Sequence, residues 1–132
     1  MKTLGKQWRV LIGEAQQAQA LDIERAFNQL GYYRVMPLRS FAQVLNVLDY
    51  SPEPIDLLLI NRNLFDGATS ELYEFCSEHR QINHALIYDV RTVPLLLPRL
   101  SSKGVQAVLP YKPDAESLGC LMAMIESHRL PA

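Results

Sequence analysis

Long hydrophobic runs are missing from this chain of 132 residues. None reaches the roughly 20 apolar residues that a bilayer-spanning helix needs, so no membrane contact is expected. The start, MKTLGKQWRV, carries charge without the apolar stretch of a secretory signal, and a cytoplasmic protein is expected. An excess of either charge is also missing: 13 Lys and Arg stand against 14 Asp and Glu. That balance argues against a nucleic-acid surface built on bulk positive charge, and no direct nucleic-acid binding is expected. Cysteine is scarce. Cys76 and Cys120 are the only two, share no close spacing, and read as buried thiols in a reducing compartment. No His/Cys cluster suggests zinc, no G-x-G-x-x-G suggests a dinucleotide, and no Ser/His/Asp or Cys/His arrangement stands at a predicted strand end. Neither an enzyme nor a cofactor is expected.

What is present is an apolar share of 48%, enough to fill one core at this length. Short apolar runs alternate with segments of helical period. Trp8–Ile12, Tyr33–Leu38, Asp56–Ile60, Ala85–Tyr88 and Ala107–Leu109 read as strands. Asp56–Ile60 (DLLLI) is the most apolar of these and is placed at the centre of a parallel sheet. Between the strands, Ala20, Ile23, Phe27 and Leu30 share one helical face, which Gly31 ends. Ser40 is an N-cap for a helix that turns Phe41, Val44, Leu45 and Leu48 inward. Leu72, Phe75, Cys76 and His79 mark the inner side of the next helix. A fourth helix is expected over Val93–Leu100, short or kinked because Pro98 lies inside it. Asp114 caps the last, with Leu118, Leu121, Met122 and Ile125 inward. Strands alternating with helices predict an α/β fold with right-handed crossovers covering both faces of a parallel sheet. Residues 1–132 form one domain, with a core over about 8–128. Residues 129–132 read as the start of a linker to an output domain.

In order and spacing these segments resemble the receiver domains of two-component response regulators, the CheY-like family. RVLIGEAQ, DLLLINRNLFDG, ALIYDV and GVQAVLPYKPD stand where that family has its acidic pair, its phosphoacceptor, its Thr/Ser and its Lys-Pro. The resemblance runs from about Arg9 to His128. It implies a flavodoxin-like, five-stranded sheet in the order 2-1-3-4-5, with the third strand central and the fifth at an edge, where Pro110 is tolerable.

The resemblance also implies a chemistry, and the residues depart from it. In a working receiver a carboxylate ends the third strand and takes the phosphoryl group. Acidic residues after the first strand hold Mg2+, and a Thr/Ser hydroxyl and a Lys ammonium grip the phosphoryl oxygens. Here the acidic pair falls on Glu14 and Ala15, and a methyl group has no lone pair to offer a metal. The phosphoacceptor falls on Asn61, a neutral carboxamide and a poor nucleophile. The Thr/Ser position falls on Asp89, whose charge repels a phosphoryl group. Lys112-Pro113 matches the Lys-Pro pair with an extra residue before it; alignment without that insertion puts Tyr111 at the lysine position. The aromatic switch position falls on Val108 or Leu109. Loss of several parts at once implies a degenerate receiver, a pseudo-receiver without the phosphorylation switch, and doubtful Mg2+ binding.

Several residues carry narrower expectations. Glu14, Asp66 and Asp89 stand at strand ends where a cation site is conceivable, but Glu14 is expected in solvent or paired with Lys112. Asp66 is expected to shape a turn with Gly67, and Asn61 to bond the neighbouring loop and hold one conformation. Trp8 is expected to pack at the edge of the first strand. Leu95, Leu96, Leu97 and Tyr111 mark an interaction face, because one irregular turn cannot bury three successive leucines. The function implied is a protein-interaction or dimerisation module in bacterial two-component signalling. It would regulate an attached or partner output domain, with a homodimer expected. Two alternatives stand beside it: a working receiver with atypical acceptor chemistry, and a small flavodoxin-like cofactor binder. Against the latter, GEAQQAQ lacks a hydroxyl-rich phosphate cradle.

Overall fold

The computed structural model describes residues 7–89, 98–100 and 103–127. In chain order the elements are β1 (Val10–Gly13), α1 (Gln17–Gln29), β2 (Val35–Leu38), α2 (Phe41–Tyr50), β3 (Ile55–Asn61), a 3-10 turn (Arg62–Leu64), α3 (Thr69–Glu78), β4 (Ile82–Tyr88), β5 (Arg99–Leu100), β6 (Val105–Leu109) and α4 (Ala115–Ser127). They form one sheet in the order β2-β1-β3-β4-β6-β5. The pairs from β2 to β6 are all parallel, and β5 alone pairs antiparallel. With β6 as the predicted fifth strand, this is the 2-1-3-4-5 order, with β3 central.

The apolar pattern sets which face of each element is covered. In β3, Ile55 and Leu57–Ile60 are fully buried, and alternate residues serve opposite faces of the sheet. Leu57 and Leu59 join Ile12, Ile23, Phe27, Leu118 and Met122 under α1 and α4. Leu58 and Ile60 join Val44, Leu48, Leu72 and Cys76 under α2 and α3. Each such side chain stabilises the fold by about 1.5–3 kcal/mol. Burial pushes the Cys76 thiol up to about 12.

The predicted boundaries hold where a specific residue enforces them. Gly31 takes φ 96 after α1, a conformation in which a side chain is disfavoured. Ser40 Oγ accepts the Gln43 N–H at 3.1 Å. Asp114 Oδ1 accepts the Ser117 N–H at 2.9 Å, and Ser117 Oγ accepts the Asp114 N–H at 3.0 Å. At the β2 edge, Arg34 and Leu38 turn their carbonyls to the N–H groups of Val10 and Glu14. The backbone of Pro37, of opposite parity, therefore faces the free edge, where a missing N–H costs the ladder nothing.

Several expectations are corrected. The fifth strand is not a bare edge, because β5 adds a two-residue antiparallel strand outside it. Arg99–Leu100 is therefore extended and not the end of a helix; Val93 to Leu97 lie outside the described residues. Pro110 stands just beyond β6 and takes no part in the ladder. Tyr33 precedes β2 and is exposed. Cys76 is buried as expected, but Cys120 lies on the exposed side of α4. Trp8 does pack beside the sheet, stacked on His84 with ring centroids 5.1 Å apart.

Candidate functional site

Parallel strands bring their carboxyl ends to one side of a sheet, and here three polar residues meet there. Gly13 stands opposite Ile60, and Asn61 opposite Tyr88. Glu14, the residue after β1, is held in place by its own N–H, which donates to Leu38 O at 2.9 Å. Its side chain is only 3% exposed, and a buried carboxylate is costly unless its oxygens are hydrogen-bonded. Asn61 Nδ2 donates to Glu14 Oε1 at 2.9 Å. The Tyr88 hydroxyl donates to the same oxygen, and the Gln16 N–H donates to Oε2 at 3.0 Å. One carboxylate thus ties the ends of β1, β3 and β4 together. Burial, the bond to Glu14 and that carboxylate's charge all push the Tyr88 phenol up, while the bond to Asn61 pulls it down.

Asn61 also faces the loop that follows it. Its Oδ1 accepts the Asn63 N–H at 2.9 Å and caps the 3-10 turn, the role in the neighbouring loop expected from sequence. Arg62 closes that loop from within: Nε donates to Thr69 Oγ1 at 2.8 Å, Nη1 to Phe65 O at 3.2 Å, and Nη2 to Gly67 O. Glu71 Oε1 accepts the Ala68 N–H at 2.8 Å at the start of α3. Asp66 is exposed on the loop.

The remaining predicted positions separate. Ala15 is exposed, and its carbonyl accepts Arg39 Nε at 3.2 Å. Lys112 does not pair with Glu14, contrary to expectation. Its ammonium donates to Gln19 Oε1 and stands 3.5 Å from Asp22, both on α1. Glu14 in turn is buried rather than solvated, because its partners lie on β3, on β4 and in its own loop. Tyr88 is the β4 residue that reaches Glu14; Asp89, the next residue, is buried, its N–H on Leu109 O at 2.9 Å. Sequence reasoning missed Tyr88, although the alternation of ALIY gives its side chain the same parity as Leu86. Among the described residues no three of His, Cys, Asp and Glu come together as a group that could hold a metal ion. The site can tie strand ends together, but the third-strand position offers a carboxamide in place of a nucleophilic carboxylate.

Beside this site, β6 and α4 enclose an apolar groove of about 550 Å³, with Pro98, Leu100, Val108, Leu109, Leu121 and Met124 in its lining. Leu100 is 64% and Met124 65% exposed at its rim, and Tyr111 is exposed nearby in sequence. Leu95, Leu96 and Leu97, predicted for this face, lie outside the described residues. Among the described residues no helix is long and apolar enough to cross a membrane.

No protein-family model matches the chain, and no curated protein does. Solved structures do. A pilus assembly-related protein from Burkholderia pseudomallei is 17% identical, with TM-score 0.65, over 99% of this chain and 97% of that one. A CheY-like response-regulator receiver domain from Methylobacillus flagellatus is 18% identical, with TM-score 0.68, over 90% and 98%. An atypical orphan response regulator with a phosphorylation-independent regulatory mechanism is 18% identical, with TM-score 0.56, over 91% and 93%. In strand order and in the structures it matches, the chain has the flavodoxin-like fold of CheY-like response-regulator receiver domains.

Proposed function

We propose that this chain is a receiver-like module that works without phosphorylation, holding one conformation and presenting a fixed surface to an attached or partner output domain. The observation that carries this reading is the hydrogen bond from Asn61 Nδ2 to Glu14 Oε1. In a working receiver two carboxylates at these positions repel each other, and a divalent cation resolves the repulsion. Here the carboxamide donates to the carboxylate, so the site is satisfied without a metal. Asn61 has no carboxylate with which to attack phosphorus, and Lys112 is engaged on α1. No catalytic step is assigned to the chain.

The test is incubation with a small-molecule phosphodonor and Mg2+, followed by intact mass. The expected result is an unmodified chain, and Asn61→Asp alone stays unmodified because Ala15 leaves the metal site incomplete. A stoichiometric phosphate adduct on the wild-type chain refutes the reading. If the adduct maps to Asp66, the alternative of a receiver with atypical acceptor chemistry takes its place.

The surface proposed for contact is the face around β6 and the exposed side of α4, where apolar side chains stand uncovered among the described residues. Self-association through it as a symmetric dimer is the simplest arrangement, because one patch then serves both partners. Light scattering with Met124→Arg and with Leu96→Arg tests this. A monomer at every concentration, together with unchanged partner binding by the folded variants, removes this face from the proposal. The matched orphan regulator, with its phosphorylation-independent mechanism, lends support at the level of fold.

A further inference from the structure

We propose that Tyr88 is the positioning residue through which the buried Glu14 carboxylate sets the shape of the apolar groove between β6 and α4. The inference rests on the reading that this site is a fixed lock, and it names what the lock controls. Tyr88 has a foot in both places. Its hydroxyl donates to Glu14 Oε1, while its ring belongs to the buried cluster that contains Leu86, Val105, Ala107, Leu109 and Ile125. Those same side chains line the inner wall of the groove. The backbone repeats the connection: Tyr88 stands opposite Leu109 in the β4–β6 ladder, and the next N–H, that of Asp89, donates to Leu109 O at 2.9 Å.

A side chain that is 1% exposed cannot change position without moving the atoms packed around it, because interiors are close-packed. If the phenol leaves Glu14, the ring is free to shift, and Leu86 and Leu109 follow it. Conversely, whatever fills the groove presses on the ring and biases the bond to Glu14. Coupling of this kind is reciprocal.

The measurement is amide hydrogen exchange on the whole chain, without divalent metal or phosphodonor, comparing wild type with Tyr88→Phe. The substitution removes one hydroxyl and leaves the ring. Amides of Val105–Leu109 are expected to exchange about tenfold faster, as for loss of one bond to a charged group, while those of β2 and α2 stay unchanged. Asn61→Ala removes the other donor to the same oxygen and leaves the phenol in place, so its effect on β6 should be much smaller. Unchanged exchange in β6, an acceleration spread evenly over all strands, or an equal effect in Asn61→Ala would each overturn the proposal. A second measurement does not need the Tyr88 variant to fold. With tyrosine labelled at Cζ, Met124→Trp fills the groove from its exposed rim and should shift the Tyr88 resonance; an unmoved resonance overturns the coupling. A stoichiometric phosphate adduct on the wild-type chain in the mass experiment would sink the phosphorylation-independent reading and leave these results standing by themselves.

Discussion

Replacing Asn61 by aspartate supplies the residue type a phosphoryl acceptor needs, and the geometry predicts that it weakens the fold. The carboxamide nitrogen lies 2.9 Å from Glu14 Oε1. A carboxylate oxygen in its place would face another carboxylate at that distance, with a repulsion of about 6 kcal/mol at an effective dielectric constant of about 20. The chain escapes more cheaply by binding a proton. At pH 7 this costs about 4 kcal/mol for a carboxyl group whose ordinary pKa is about 4.3. The protonated pair then regains a hydrogen bond worth about 1–2 kcal/mol. Asn61 is only half-buried, so solvent screening puts the net loss at the low end of about 2–4 kcal/mol. The sign of the pH dependence follows. One carboxyl group of the folded variant titrates above its unfolded value, so the unfolded chain binds fewer protons at neutral pH. The deficit is therefore full at pH 7.5 and shrinks as the pH falls toward 4–5. Urea denaturation of wild type and Asn61→Asp at pH 7.5 and pH 5, without divalent metal, measures it. Equal midpoints at pH 7.5, or a loss of the same size at both pH values, would refute the account of the site as a carboxylate held by neutral donors.

Other outcomes follow from the same contacts. Leu59→Ala, in the fully buried centre of β3, should cost about 2–5 kcal/mol of stability by chemical denaturation; a cost below that range would mean the site collapses around the gap. In the native chain a thiol reagent should modify Cys120 quickly and Cys76 only on unfolding, since one is exposed and the other buried with its thiol pushed up to about 12; equal rates would contradict the packing of α3. Burial, and then the nearby Lys103 charge, hold His79 below its usual value. The unfolded chain therefore takes up the proton first, so stability falls as the pH drops through about 6.5, and His79→Gln should flatten that slope in thermal melts between pH 7.5 and 5.5. Gly104→Ala should destabilise the start of β6, because φ is +156 there and an added Cβ would lie 2.2 Å from Asn83 O; an unchanged melting temperature would show that the backbone at Gly104 can relax.

The sequence by itself determined the layers of this protein. Apolar runs of β3 and β4, helical stripes such as Ile23 and Phe27, and the local stops at Gly31, Ser40 and Asp114 are short-range signals, each written in neighbouring residues. They give element type, order and the buried face. The carboxamide that ends β3, Asn61, was legible too, because it is a residue type at one position in an ordered series. The tertiary structure alone decided which polar groups meet. Glu14 and Tyr88 are 74 residues apart, and only the register of β1, β3 and β4 carries the phenol to the carboxylate. Lys112 could be assigned to Glu14 from strand-end placement, but the loop after β6 directs its ammonium to Gln19 and Asp22 instead. The antiparallel β5 likewise outweighed the helical pattern of its segment at Arg99 and Leu100, because those two residues pair with Gln106 and Val105 of β6, a contact that the apolar period does not encode. The alternation of ALIY gives Tyr88 its side of the strand, but which polar group its hydroxyl meets is set by the pairing of β1, β3 and β4.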